Sequence, residues 1–396
     1  MRQRLSARWI FPVDGPSIER GTIEIEDGRV TDVSPSRAPD AVDLGNVALI
    51  PGLVNAHTHL EFSDLATPVL PAHPFTAWIR ALVSVRRGRP APAAESIAAG
   101  LRECHTAGTA VVGEILTATA DELSSACSSV GKERPARVVA FREILGLPAS
   151  RTAEQLALGR AYLASALPER VTAGLSPHAP YSVHPDLVRG CVDLCREAGA
   201  PLALHLAETR AELELLDRGT GEFVEMLTAF GAWEPTAIPR GSRPLDSLQM
   251  LAPLPRALVV HGNYLADDEQ QFLADHPHLT VVYCPRTHAF FGHAAHPWRE
   301  LLARGVSVAI GTDSRGSNPD LSLWRELQFL HERFPEIDPS EILELGTLAG
   351  ARALGCEADF GTLTPGKQAA ICAIRLPERE GDAHQLLFEG DVVRVD

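Results

Sequence analysis

The chain has 396 residues, 45% of them hydrophobic and 22% charged, which is ample apolar material for a large core. Acidic residues outnumber basic ones by 51 to 36, and the formal charge of −15 argues against a nucleic-acid partner. The seven cysteines show no pattern of a disulfide framework, and the N-terminal segment lacks the apolar region of a signal peptide. The cysteine pattern makes a reducing cytoplasm the expected location. No run of about 18 apolar residues occurs, so we expect no membrane span.

Both ends of the chain are predicted to be rich in β-strand. The alternating segment 21–30 breaks at Asp27-Gly28, which is a hairpin signal. Near the other end, the glycine-bounded segment 361–366 precedes an apolar stretch at 369–374. The two β-rich ends therefore flank a different kind of structure in the middle of the chain.

The middle of the chain alternates between predicted strands and helical segments. Eight alternations favour a (β/α)₈ barrel, an α/β fold of the TIM-barrel type, although a doubly wound sheet has a similar pattern. The glycine-rich fingerprints of nucleotide-binding sheets do not occur. The predicted strands are 48–57, 109–115, 138–145, 171–177, 201–206, 257–261, 279–284 and 306–311, and the clearest helices are 91–106, 153–166, 186–198 and 267–275.

Five polar residues follow or close predicted strands. They are His57, His59, His205, His261 and Asp313. In a barrel the carboxyl ends of the strands meet at one face, where several strands together supply the catalytic residues. We therefore expect these side chains to converge.

The His57-Thr-His59 spacing points two imidazoles the same way from an extended segment, so that both can bind one ion. His205 and Asp313 supply further nitrogen and oxygen donors. Three histidines and one carboxylate suit Zn²⁺, and Fe²⁺ accepts the same ligands. The alternative is a set of unrelated, hydrogen-bonded histidines at the starts of loops.

Glu208 lies three residues after His205 and can reach the same pocket without binding the metal. A metal lowers the pKa of its bound water to about 7, and a carboxylate beside it can carry protons to a leaving group. His261 can bind the ion or orient the water, and we favour the second role. Asp313 can accept a proton while it remains a ligand. The alternative role for Glu208 is that of a solvated acidic residue at the N-terminus of a helix, where its charge interacts favourably with the helix dipole.

Five short motifs occur along the chain: PGLVNAHTHL at 51–60, SPHAPYS at 176–182, HLAE at 205–208, VHG at 260–262 and GTDS at 311–314. Together they resemble the amidohydrolase superfamily, in particular its branch of cytosine deaminases, S-adenosylhomocysteine deaminases and triazine hydrolases. The resemblance covers about residues 21–374 and implies a barrel at 53–354 beside a small β-sandwich built from 1–52 plus 355–396. One departure is Ala370, which stands where that family usually has aspartate in a terminal segment.

The resemblance implies one metal ion, with Glu208 and His261 as catalysts and with His57, His59, His205 and Asp313 as ligands. Branches with two ions usually need a carboxylated lysine on the fourth strand, and 171–176 contains no lysine. Glu143 lies where sugar-amide deacetylases of the superfamily have a metal ligand, so it remains an alternative ligand.

The resemblance also implies a small heterocyclic substrate. Glu208 is suited to protonate a ring nitrogen and then a departing amine, which favours deamination over the loss of chloride in triazine hydrolases. An aminofutalosine-type substrate fits best, because the opening HTHLEFS at 57–63 is similar to that deaminase subgroup, and other adenosine derivatives are also candidates. The predicted substrate contacts are His178, Trp78, Arg142, Arg286 and His288, with core packing, ion pairing or backbone hydrogen bonds as their alternative roles.

Two other functions stay open at this point. One is an amide or lactam hydrolase, a deacetylase or a triazine-type chlorohydrolase of the same superfamily. The other is a barrel that binds metal without catalysis. Relatives are often dimers, so a homodimer is also an expectation.

Overall fold

A computed structural model describes residues 2–88, 93–131 and 135–394. Within these residues no helix is both long and apolar enough to cross a membrane. The first two positions of the predicted helix 91–106, and residues 1, 395 and 396 of the predicted terminal domain, lie outside the described residues.

The strands alternate with helices through the middle of the chain and cluster at both ends. They are β1 (Arg2–Ser6), β2 (Trp9–Ile10), β3 (Ile18–Glu19), β4 (Thr22–Glu26), β5 (Arg29–Ser34), β6 (Val42–Asp43), β7 (Val47–Pro51), β8 (Leu53–Thr58), β9 (Thr109–Leu116), β10 (Arg137–Ile144), β11 (Val171–Pro177), β12 (Leu202–Leu206), β13 (Ala257–His261), β14 (Leu279–Tyr283), β15 (Val308–Ile310), β16 (Ile371–Arg375) and β17 (Asp391–Val393).

The helices mostly follow the barrel strands and cover their outer face. They are α1 (Phe75–Arg87), α2 (Ala93–Thr106), α3 (Ala120–Val130), α4 (Thr152–Leu163), α5 (Pro185–Ala198), α6 (Arg210–Arg218), α7 (Glu222–Ala229), α8 (Pro244–Leu251), α9 (Asp267–Ala274), α10 (Pro285–Phe290), α11 (Trp298–Ala303), α12 (Leu323–Arg333), α13 (Pro339–Leu345), α14 (Leu348–Leu354) and α15 (Ala383–Phe388), with short 3₁₀ turns at Leu60–Phe62 and Ala149–Arg151.

Strands β8 to β15 form one parallel sheet in which each strand pairs with its neighbour along the chain. A parallel bridge between Thr58 and Asp313 connects the two ends of this sheet. Chain-order pairing with joined ends is the arrangement of a (β/α)₈ barrel, so the predicted fold is confirmed and a doubly wound sheet is excluded.

One predicted strand is wrong, because 48–57 is two strands that belong to different sheets. The chain leaves a terminal sheet after β7 and enters the barrel at β8. Gly52 lies at this crossing, where its N–H donates to the carbonyl of Ala370 at 2.7 Å. A β-carbon on Gly52 would lie 2.5 Å from that of Ala110, so the crossing requires glycine.

The chain termini form two further sheets, ordered β5-β4-β1-β6 and β17-β16-β7-β2-β3. The hairpin predicted at Asp27-Gly28 joins β4 to β5, and β16 pairs with β7, so both ends of the chain contribute to one sheet. Alternate residues of β7 face opposite sides: Leu49 lies in the core of the small domain, and Ile50 packs with the barrel. The domain limits at 52 and 355 remain a prediction.

The barrel interior is filled by apolar side chains below its carboxyl-terminal mouth. Val139 and Phe141 of β10 lie in this interior cluster, whereas Val138 and Ala140 face the surrounding helices. Residues of helix α14 close the opposite end. The polar side chains at the carboxyl ends of the strands therefore lie directly above a well-packed apolar interior.

Candidate active site and metal centre

Donor atoms from four parts of the barrel converge at the mouth. Ligand atoms of His57, His205 and His261 lie within 4.8 Å of one another, and the same holds for His57, His59 and Asp313. The Asp313 Oδ1 atom lies 3.7 Å from the Nε2 atom of His57 and 3.6 Å from that of His59. The structure thus brings together all five polar residues that the sequence places at strand ends.

The hydrogen bonds of these histidines leave nitrogen lone pairs for a metal ion. Both ring nitrogens of the fully buried His57 make no hydrogen bond to the described residues. An unsatisfied buried polar atom costs about 1 to 3 kcal/mol, so a ligand to this ring is expected. The Nδ1 of His205 lies 3.0 Å from the carbonyl oxygen of His178, an arrangement in which Nδ1–H donates and Nε2 stays free to bind metal.

Burial keeps His59 and His205 neutral. Burial, together with the nearby His57, lowers the pKa of His59 to about 3, and burial holds the pKa of His205 well below its ordinary value. Neutral imidazole is the form that binds metal. Burial would raise the pKa of Asp313, but the adjacent histidines hold it well below its usual range, so this carboxylate stays ionised. The residues present fit one divalent ion.

Three residues near this centre have left-handed backbone conformations although none is glycine. Their φ angles are +54° for Ala207, +71° for His261 and +57° for Asp313. Such a conformation costs about 1 to 3 kcal/mol and is common where the chain must aim a functional side chain. Ala207 directly follows β12, His261 closes β13 and Asp313 lies three residues after β15, so each one turns the chain near the carboxyl end of a barrel strand.

Hydrogen bonds also hold Asp313 in place. The Ser317 hydroxyl donates to its Oδ2 at 3.1 Å, and the Thr58 hydroxyl donates to its carbonyl at 3.2 Å. Thr287 lies 2.9 Å from the Ser317 hydroxyl and extends this network.

Glu208 is buried beside the metal cluster. Its Oε1 atom lies 3.4 Å from His261 Nε2, and burial, together with Asp313 and Glu212, holds its pKa well above the ordinary range. A carboxyl group in this setting can carry a proton at neutral pH.

Two residues that position the backbone around Glu208 and His261 were not predicted from the sequence. The Glu212 carboxylate accepts the N–H groups of Ala207 at 2.9 Å and Glu208 at 2.8 Å, and so shapes the loop after β12. The spacing of Thr209 and Glu212, with the Thr209 side chain accepting from the Glu212 N–H at 3.1 Å, is a helix-start signal that could have identified it. The Nε2 atom of His296 lies 2.7 Å from the carbonyl oxygen of His261. No sequence pattern near His296 predicts this contact.

A cavity of about 890 Å³ opens above the metal cluster and is lined by three of the predicted substrate contacts, His178, Trp78 and Arg142. The ring of His178 lies 2.7 Å from the Ser182 hydroxyl through Nδ1. Trp78 donates from its indole to the carbonyl of Gly316 at 3.2 Å and is mostly buried. Arg142 donates to the backbone carbonyls of Thr117 and Ala118. Its guanidinium has no carboxylate within 4 Å among the described residues.

The other two predicted contacts, Arg286 and His288, lie outside the lining of this cavity. Both nitrogens of the Arg286 fork donate to Asp320, at 2.8 and 2.9 Å. The Nε2 of His288 lies 2.8 Å from the carbonyl of Ala294. These partners hold the two side chains outside the lining of the cavity, which gives no support to a substrate contact for either residue.

Glu143 also lines the cavity, but it belongs to neither cluster of metal-binding atoms in the described residues. The geometry therefore gives no support to Glu143 as a ligand of a second metal ion.

Comparisons with known proteins find similar deaminases. The 5-methylthioadenosine/S-adenosylhomocysteine deaminase of Moorella thermoacetica is 30% identical over 386 residues, which cover 92% of this chain and 83% of that protein. The aminodeoxyfutalosine deaminase of Deinococcus radiodurans is 30% identical over 337 residues, covering 81% and 76%.

Solved structures share the fold. Helicobacter pylori aminofutalosine deaminase in complex with methylthio-coformycin superposes with a TM-score of 0.83 at 21% identity, covering 98% of this chain and 97% of that one. A zinc-bound adenosine deaminase from Xanthomonas campestris gives 0.76 at 23% identity, covering 98% and 89%. Residues 48–394 match the profile of the Amidohydrolase family. The chain belongs to the amidohydrolase family and is a hydrolase.

Proposed function

We propose that this protein is a hydrolytic deaminase that removes the exocyclic amino group of a purine-type heterocycle, with Zn²⁺ as its one metal ion. The observation that carries the proposal is the buried Glu208 carboxyl, with its Oε1 3.4 Å from His261 beside the donor cluster. Expulsion of ammonia from an aromatic ring needs a proton donor at that place, because the amide anion is a very poor leaving group.

A Zn²⁺ ion held by His57, His59, His205 and Asp313 would supply an activated water. In the proposal, Glu208 would carry one proton of the attacking water to a ring nitrogen as the oxygen adds to the carbon that bears the amino group. The second proton of that water would pass to the amine, which leaves as ammonia while the ring carbon becomes a carbonyl. His261 stabilises the charge that develops on the attacking oxygen. Asp313 stays ionised and can accept a proton during the attack.

Zn²⁺ is favoured over Fe²⁺ by analogy with the zinc-bound Xanthomonas relative, although both ions accept these ligands. Elemental analysis of the purified protein is expected to give one equivalent of metal per chain. Two tightly bound equivalents would contradict the mononuclear assignment.

The proposed substrates are adenosine derivatives, including an aminofutalosine-type molecule in which an adenine is joined to a carboxylated aromatic. The names of the deaminases similar to this chain support this class. The rim of the cavity supports the aromatic arm, because Leu145 and Phe230 line it and remain 44% and 39% exposed. Arg142 provides a cation for the carboxylate.

The proposal is tested by ammonia release from a panel of 6-aminopurine nucleosides and by turnover of N-acyl compounds. Ammonia release from a nucleoside is the expected result. Turnover of only the N-acyl compounds would identify an amide hydrolase instead. The seven buried cysteines form no disulfide among the described residues, which fits a reducing cytoplasm. A homodimer remains a prediction.

A further inference from the structure

A second cavity, of about 520 Å³, lies between helices α5 and α8 and the segment 238–243 that leads into α8. It shares no lining residue with the cavity above the metal cluster. One short stretch of chain separates the two cavities: Pro180 and Val183 line the second cavity. Tyr181 and Ser182, which lie between them in the chain, line the first. The volume of the second cavity is within the range of about 300 to 1,000 Å³ that small-molecule sites usually have.

Buried apolar side chains line one part of the second cavity. Val183 and Val188 belong to the core between the barrel and its helices, and Leu216 and Ile238 belong to the cluster under α6 and α7. All four are less than 10% exposed, so they form a firmly packed wall. Such a wall suits the apolar body of a ligand and gives it no hydrogen bonds.

Most charged groups that line the second cavity have partners within the protein. Arg189 pairs with Asp186 at 2.6 Å, and the Arg243 guanidinium pairs with Asp268 at 2.7 Å. The Asp246 carboxylate accepts the backbone N–H of Arg243 at 2.7 Å. It lies in the first turn of α8, where the helix dipole favours a negative charge. These three groups therefore contribute little to the binding of a ligand.

Two groups that line the second cavity remain without a partner. Within residues 2–88, 93–131 and 135–394, no carboxylate lies within 4 Å of the Arg240 guanidinium, and the Ser247 hydroxyl makes no hydrogen bond. Ser247 is only 6% exposed, and a buried hydroxyl without a partner is costly. Both groups can donate hydrogen bonds, so a ligand that meets them must carry acceptor atoms.

The combination of these two donors with an apolar wall matches a monocarboxylate. A carboxylate carries one negative charge, and its two oxygens can accept hydrogen bonds from a guanidinium and a hydroxyl at the same time. A phosphate monoester carries nearly two charges at neutral pH, and Arg240 is the one unpaired cation that lines this cavity among the described residues. The donor set therefore favours the carboxylate.

We propose that the second cavity binds a small monocarboxylate with an apolar body, such as an arylalkanoate, and that Arg240 and Ser247 hold its carboxylate. The apolar body packs against the wall formed by Val183, Val188, Leu216 and Ile238. This site is separate from the metal centre, and the inference does not depend on the reaction catalysed there.

The test is an NMR titration of the zinc-loaded protein with 3-phenylpropionate and with its uncharged analogue, 3-phenylpropionamide. We expect a dissociation constant of about 1 mM or below for the acid, which is typical of a ligand of this size. The amide should bind at least about fivefold more weakly, because hydrogen bonds to a charged acceptor are the stronger ones. Arg240→Gln and Ser247→Ala are each expected to weaken binding of the acid about fivefold.

Two control variants locate the site. Ser242 lines the same cavity, but its hydroxyl already donates to the carbonyl of Pro239 at 2.5 Å. Ser242→Ala should therefore leave the affinity for the acid within about twofold of its original value. Arg142 lines the cavity above the metal cluster, so Arg142→Gln should leave it equally unchanged. Arg240 is exposed and Ser247→Ala removes a single oxygen atom, so thermal unfolding should confirm that both variants fold.

No binding of the acid at about 20 mM overturns the inference, and so does equal affinity for the acid and the amide. Undiminished binding in both Arg240→Gln and Ser247→Ala also overturns it. Weaker binding in Arg142→Gln but not in Arg240→Gln would place the acid in the cavity above the metal cluster and would contradict a second site. Ammonia release, measured separately, decides the proposed deamination, so the two proposals stand or fall independently.

Discussion

Replacing Gly311 by alanine should displace His57 and weaken the metal centre. A β-carbon at this position would lie 2.8 Å from the carbonyl oxygen of His57, 2.9 Å from its β-carbon and 3.1 Å from its nitrogen. None of these atoms is the end of a flexible side chain, so the strand that carries His57 must move. Overpacking of this kind costs about 1 to 3 kcal/mol of folding free energy. We expect metal affinity to fall about 10- to 100-fold, as it does when groups that orient metal ligands are lost.

The assay combines chemical denaturation with competition for zinc against a chelator of known affinity. Gly15→Ala is the control, because a β-carbon there would meet nothing within 4 Å and should leave metal affinity unchanged. Metal affinity of Gly311→Ala equal to that of the unmodified protein would refute the reasoning, since it would show that His57 tolerates the contact or does not bind metal.

Two further predictions concern the buried charges behind the site. Burial raises the pKa of Glu326 to about 8, so the folded protein holds the Glu326 proton more tightly than the unfolded chain does. The stability that Glu326 contributes is therefore greatest below about pH 4.5 and is lost as the pH rises from there through 8. Glu326→Gln should therefore flatten the fall in unfolding free energy between pH 5 and 8, and an unchanged slope in denaturation curves would contradict this. Arg286→Gln should lower the melting temperature by breaking its contacts with Asp320 while leaving KM within about twofold, whereas a tenfold rise in KM at unchanged stability would restore Arg286 as a substrate contact.

The barrel and its polar mouth could be predicted because both depend on local patterns. Alternating strands and helices specify the architecture, and the residues that close the strands must then meet at one face. The His57-Thr-His59 pair and Asp313 could be identified in this way. The division of 48–57 into two strands could not, because it depends on Gly52 meeting Ala370, a contact across more than 300 positions.

Long-range pairing also explains why two of the predicted substrate contacts, Arg286 and His288, lie outside the lining of the cavity. Arg286 follows a strand, as a pocket residue would, but Asp320 on another loop binds its guanidinium. Arg142 lies near the end of β10 and Trp78 lies in α1, and the partners of both side chains leave them in the cavity wall. Local sequence predicts which strand end a residue lies at. The direction of its charged group depends on the partners that the tertiary structure brings to it.

The most direct test of a metal-centred deaminase assisted by Glu208 is ammonia release by the Glu208→Gln protein with its metal content measured in the same sample. We predict one equivalent of metal and a loss of at least about 100-fold in kcat, the usual contribution of a positioned acid and base. Full activity of this variant with the metal retained would contradict the account, because the proton would then travel by another route.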